Sequence, residues 1–149
     1  MRRIALSVIA LALAGPAARP VARVQDPPAP AAPSQAYTFA TGAGILFFYV
    51  RPDRTSDFEA VLARLSDALD ATQEATRRQQ AASWRMFKSV EAVKEAAIYV
   101  FAFDPALPGA DYDPVKFLGE TMPVEAQALY EKLKASITRV ERMGLTRLR

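Results

Sequence analysis

The chain has 149 residues, with 19 lysines and arginines against 16 acidic side chains, and contains neither histidine nor cysteine. Without histidine it lacks the commonest general base and metal ligand; without cysteine it lacks thiol nucleophiles, disulfides, soft zinc ligands and lipid attachment through an N-terminal cysteine. Serine triads and zinc centres of the usual kinds are therefore excluded, and carboxylate, tyrosine, arginine or tryptophan chemistry remains.

In chain order the first element is an export signal. Arg2 and Arg3 precede an uncharged run over 4–14, followed by the small residues Gly15 and Ala17, which is the pattern of a secretory signal peptide over 1–17. The run stops at Pro16, short of the roughly 20 apolar residues that a membrane-spanning helix needs. Cleavage near Ala17 is expected, giving an exported protein, periplasmic or secreted, with no membrane span afterwards. Residues 18–35 carry Pro20, Pro27, Pro28, Pro30 and Pro33 without apolar periodicity and read as an extended linker. Residues 36–149 are long enough for a single domain with its own core. The charge divides the same way: Arg2, Arg3, Arg19 and Arg23 against Asp26 give 4 − 1 = +3 before residue 36, the whole net charge of the chain. The remainder is neutral, so a nucleic-acid partner is not expected.

Residues 45–50 form an apolar, aromatic and β-branched run after Gly42 and Gly44 and before Arg51-Pro52, which indicates a strand. The glycines precede the strand and lack a third partner, so they are not a dinucleotide loop. Ser56 and Glu59 have the spacing of a capping box, and Phe58, Val61, Leu62, Leu65 and Leu69 then recur at helical spacing. Residues 76–80 continue as a last helical turn or a loop, and Arg77-Arg78 read as a solvated helix end. Residues 83–89 read as a second strand, with Trp84 and Met86 on one face and Arg85 and Phe87 on the other; residues 97–103 are the clearest strand of the chain. Asp113 and Pro114 are the N-cap and first position of a helix to about Glu120. Pro123 opens another, with Ala126, Leu129, Tyr130, Leu133, Ile137 and Val140 on one face.

The order β-α-β-β-α-α predicts an α+β fold with the ferredoxin-like split βαβ arrangement, in which the third strand pairs antiparallel with the first two. Residues 143–148 are a weak candidate for a fourth strand. Both faces of the strands are apolar. The aliphatic set (Leu46, Val50, Ile98, Val100) suits the helices, which leaves an aromatic face of Phe47, Tyr49, Tyr99, Phe101 and Phe103 for a second subunit, a ligand cavity, or both.

On this topology and aromatic face, residues 45–138 resemble the dimeric α/β-barrel superfamily, which includes the antibiotic-biosynthesis monooxygenase-type domains. The segments Arg78 to Lys88, Ile98 to Pro105 and Pro108 to Tyr112 also resemble short exported bacterial proteins without an assigned function. The first resemblance implies a homodimer formed through the sheets. Neither implies an active-site residue.

Two constellations carry chemistry. Asp104, Asp111 and Asp113 form the densest carboxylate cluster, whose spacing fits turn formation and helix capping better than a calcium loop. Tyr49, Arg51, Trp84, Tyr99 and Phe101 would suit a flat organic ligand, with rings stacking and the arginine fixing an anionic group; the bland alternative is barrel core with Arg51 at a strand end. The expected function is a non-enzymatic exported domain that dimerises through its sheet, with a small apolar ligand or an envelope protein as candidate partners, and no cofactor or metal. The alternative is a cofactor-free monooxygenase-like barrel enzyme using Trp84 and the tyrosines, which rests on fold analogy alone.

Overall fold

The structure, a computed structural model, describes residues 37–91, 93 and 95–149. The expected signal peptide and the whole of the linker lie outside the described residues. The elements are β1 (Ala43–Val50), α1 (Thr55–Ala71), α2 (Ala75–Ser83), β2 (Trp84–Lys88), β3 (Ala97–Phe103), α3 (Pro114–Thr121), α4 (Ala126–Ser136) and β4 (Ile137–Leu145). The sheet order is β2-β3-β1-β4, antiparallel throughout, with both central strands flanked as the split βαβ topology requires. This is the ferredoxin-like fold, with α1–α2 and α3–α4 as the two crossovers.

Pairing decides the two faces of the sheet. Leu46 lies opposite Phe101 and Phe48 opposite Tyr99, and directly opposed residues of an antiparallel pair point to the same side. Leu46, Phe48 and Val50 therefore share the helix-covered side with Tyr99, Phe101 and Phe103, and all six are buried. The expected aromatic open face is corrected on this point: the aromatic set of β3 belongs to the core. What remains open is Ile45, Phe47 and Tyr49 with Ile98, Val100 and Ala102.

The helices cover the core side with Phe58, Val61 and Leu65 from α1, Phe117 and Leu118 from α3, and Leu129 and Leu133 from α4. Aromatic rings dominate the interior: Phe48 lies 4.5 Å from Phe101, Phe58 lies 4.7 Å from Tyr99, and Phe103 lies 4.3 Å from Tyr112. Two core aromatics, Phe39 and Tyr112, come from loops. The Tyr112 amide donates to the Tyr37 carbonyl (2.9 Å) and the Gly109 amide to the Phe39 carbonyl (2.9 Å), which draws the chain before β1 alongside the loop after β3. Phe39 then lies against the backbone of Gly44, so closely that a side chain at position 44 would meet its ring. Gly44→Ala is expected to cost about 1–3 kcal/mol, because Phe39 must leave its site beside Phe103. Thermal unfolding of the variant checks this, and an unchanged midpoint would exclude the close approach.

Three element ends differ from the sequence reading. α1 starts at Thr55 with no side-chain cap, and Glu59 binds Lys88 and Tyr99 instead of reaching back to Ser56. Residues 76–80 belong to a separate helix, α2, capped by the Glu74 carboxylate, which accepts from the amides of Thr76 (2.9 Å) and Arg77 (2.6 Å). Arg77 is no solvated helix end. Its guanidinium donates to both Glu120 oxygens (2.9 Å each), to Gln80 Oε1 (2.8 Å) and to the Asp111 carbonyl (3.0 Å), and so ties α2 to α3 and the loop before it. The last helix stops at Ser136, and β4 begins at Ile137 rather than near residue 143. The residues expected on a helical face, Ile137 and Val140, instead pair with Val50 and Phe48 along the second edge of β1.

Candidate functional site

The open side of the sheet is a grid of three rows across four strands. One row runs Arg85, Ala102, Ile45 and Met143 from β2 to β4; the middle row runs Phe87, Val100, Phe47 and Glu141; the third holds Ile98, Tyr49 and Arg139. With strands about 4.8 Å apart and same-side residues roughly 7 Å apart along each strand, the grid is about 14 Å wide and about 14 Å long between its outermost rows. Its centre is apolar and its charges lie at the edges. Phe87 is 56% exposed and Met143 is 53% exposed, on opposite edges. No described helix packs on this side.

The β4 edge is pre-arranged. The Tyr49 hydroxyl donates to Glu141 Oε2 (2.9 Å), Arg139 lies 3.9 Å from the Tyr49 ring centroid, and its guanidinium meets Glu141 Oε1 at 3.3 Å. At the β2 edge, Arg85 donates to the carbonyls of Ala82 (2.8 Å) and Trp84 (3.0 Å) and makes no ion pair among the described residues.

The five residues considered for a ligand do not meet in one place. Tyr49 is on the open face. Arg51 is exposed beyond the end of β1, where its amide donates to the Ser136 carbonyl (2.9 Å). Trp84, Tyr99 and Phe101 are on the core side, 5%, 2% and 1% exposed. Trp84 sits among Phe101, Phe103, Tyr112 and Phe117 at centroid distances of 5.1–5.8 Å, and its indole N–H has no acceptor among the described residues. A surface depression of about 510 Å³ between the α1–α2 turn and α3 is lined by Glu74, Arg77 and Glu120 and includes none of the five.

Two further polar clusters are closed structural sets. The Tyr99 hydroxyl and the Lys88 ammonium both donate to Glu59 Oε1 at 2.7 Å, which fastens α1 to β2 and β3. The hydrogen bond from Lys88, then that from Tyr99, holds the Glu59 carboxyl below its ordinary range; burial first, and then Glu59, pushes the Tyr99 phenol up. Of the three aspartates, Asp104 pairs with Arg147 (2.6 Å), whereas Asp111 accepts from the Asp113 amide (3.0 Å) and Asp113 caps α3 by accepting from the Val115 amide (2.8 Å). Burial raises the Asp113 carboxyl.

Burial, then the charges of Asp113 and Asp111, pushes the nearby Tyr37 phenol from 10.0 up to about 12. Because the folded value lies above the unfolded one, this contribution to stability is complete below pH 10 and is lost as the pH rises towards 12. Alkaline titration followed by phenolate absorbance is expected to show a late-ionising tyrosine that Tyr37→Phe removes. The variant should also lose stability less steeply between pH 10 and 12; an alkaline titration that Tyr37→Phe leaves unchanged would contradict this.

No model of a known protein family matches the sequence, and no curated protein matches it. Among solved structures, the chain is similar to a dimeric protein of unknown function with a ferredoxin-like fold from Bacteroides fragilis. That similarity has 16% identity and a TM-score of 0.35, over 72% of this chain and 96% of that one.

Proposed function

We propose that the chain is an exported binding domain that acts as a homodimer, two copies packing their open sheet faces together. The observation that carries this is the open face itself: a central apolar field, with Phe87 and Met143 more than half exposed, on a sheet whose other side is already filled. Soluble proteins rarely leave a contiguous apolar surface of several hundred Å² uncovered, and two such sheets at a spacing of about 10 Å form an ordinary sandwich core. Export is supported by residues 1–17 of the sequence. No described helix is long and apolar enough to cross a membrane.

Sedimentation equilibrium of the protein is expected to give twice the chain mass at micromolar concentration. A single-chain mass at about 100 µM would overturn the dimer, since that would correspond to an association weaker than roughly 5.5 kcal/mol. A small apolar ligand or an envelope protein would compete for the same face, so an apolar fluorophore that binds the dimer without dissociating it would place the ligand elsewhere. The monooxygenase reading has less support, because Trp84 and Tyr99 lie on the core side of the sheet and only Tyr49 of that set faces outward. Recovery of the mature protein in the periplasmic or extracellular fraction, with a new N-terminus near residue 18, tests export.

A further inference from the structure

We infer that the two sheets associate about a two-fold axis running along the strands between β1 and β3, which sets the β2 edge of each copy over the β4 edge of the other and pairs Arg85 with the partner's Glu141. The inference rests on the sheet-to-sheet dimer proposed above and specifies its geometry.

Facing copies of one sheet are related by a two-fold axis lying in the plane between them, and aligned packing leaves two directions for that axis, across the strands or along them. An axis across the strands through the middle row places each strand over its own copy. Glu141 then faces the partner's Glu141, and Phe87 the partner's Phe87. Two carboxylates are thereby brought together, each offset only by the Arg139 of its own copy, and Arg85 comes over no acidic residue of the grid, which makes this axis the less favourable.

An axis along the strands leaves height unchanged, so row stays over row while the strand order reverses sideways. Arg85 and Phe87 then come over the partner's Met143 and Glu141. The two large apolar side chains at the edges, 56% and 53% exposed, are covered in the same step. The arginine stem lies over the thioether, and the Glu141 carboxylate is one row away, roughly 7 Å along the strand and within reach of the guanidinium. Glu141 is held in place beforehand by Tyr49 and Arg139, and Arg85 has no acidic partner of its own among the described residues. Each edge thus supplies what the opposite edge lacks, and the symmetry forms the pair twice.

A charge-exchange cycle tests this, read as the dimer dissociation constant by sedimentation. Arg85→Glu and Glu141→Arg are each expected to weaken association by at least about tenfold, and the double exchange to return it to within about threefold of the original. Trp84 is the single tryptophan and lies in the core, so its emission verifies that each variant is folded. Where an exchange fails to fold, Glu141→Gln gives the same discrimination: it weakens the dimer if the axis runs along the strands and tightens it if the axis runs across them. An unchanged dimer in Arg85→Glu, or no recovery in the double exchange, overturns the axis and leaves the dimer standing. A protein that is monomeric throughout overturns both.

Discussion

Phe101→Ala is expected to lower the stability of the fold by about 3–5 kcal/mol, close to what a large buried aromatic contributes when its site cannot collapse. Phe101 is 1% exposed on a central strand, its ring 4.5 Å from Phe48 and 5.8 Å from Trp84, with Leu46 and Met86 as its neighbours across the two ladders. Strands hold it from both sides and helices cover it, so the backbone has little freedom to close on the space left behind. Urea unfolding followed by Trp84 emission measures the loss, and a midpoint that falls with an unchanged slope identifies it as a loss of packing. A change below about 1 kcal/mol would mean that Phe101 lines a solvent-accessible pocket, as the ligand hypothesis required.

The same residue shows where the sequence was legible and where it was not. The run 97–103 predicts β3 to the residue, and period-two alternation correctly separates Tyr99, Phe101 and Phe103 from Ile98, Val100 and Ala102. Alternation within one strand cannot say which of its two sets joins which set of the next strand. That depends on register, and the pairing of Leu46 with Phe101 sends the aromatic set inward. The fold class survived because it depends on element order. The candidate ligand residues are divided between the two faces, because the set was drawn from both.

Local and tertiary signals compete again at residues 133–140. Leu133, Ile137 and Val140 have helical spacing, yet Ile137, Thr138 and Val140 are β-branched, and β1 has a second edge to be paired. Cross-strand pairing along that edge outweighs continuation of a marginal helix, and the chain changes from helix to strand at the Ser136–Ile137 junction. Asp113 and Pro114, by contrast, were readable because a cap is a local device: the Asp113 carboxylate binds an amide two residues on, whatever the rest of the chain does. Phe39 and Tyr112 lie in segments without periodicity, so no sequence pattern marked them as core although both are buried.

Phe47→Lys separates folding from association at a single position. Phe47 is the immediate neighbour of the fully buried Phe48, but points to the open side, opposite Val100 on one ladder and Glu141 on the other. A lysine there keeps the strand pairing and gains an acidic neighbour across β4, so the stability of the isolated protomer is expected to stay within about 1 kcal/mol. In the dimer the same ammonium would be carried into the centre of the apolar grid, away from water and among the aliphatic side chains of both copies. Association is expected to weaken by at least about 100-fold, as for loss of a central anchor in a desolvated interface. Sedimentation should therefore show a single-chain species with wild-type Trp84 emission and an unfolding transition that no longer depends on protein concentration. A variant that remained dimeric with unchanged affinity would remove the open face from the interface, and with it the reason for the charges at its two edges.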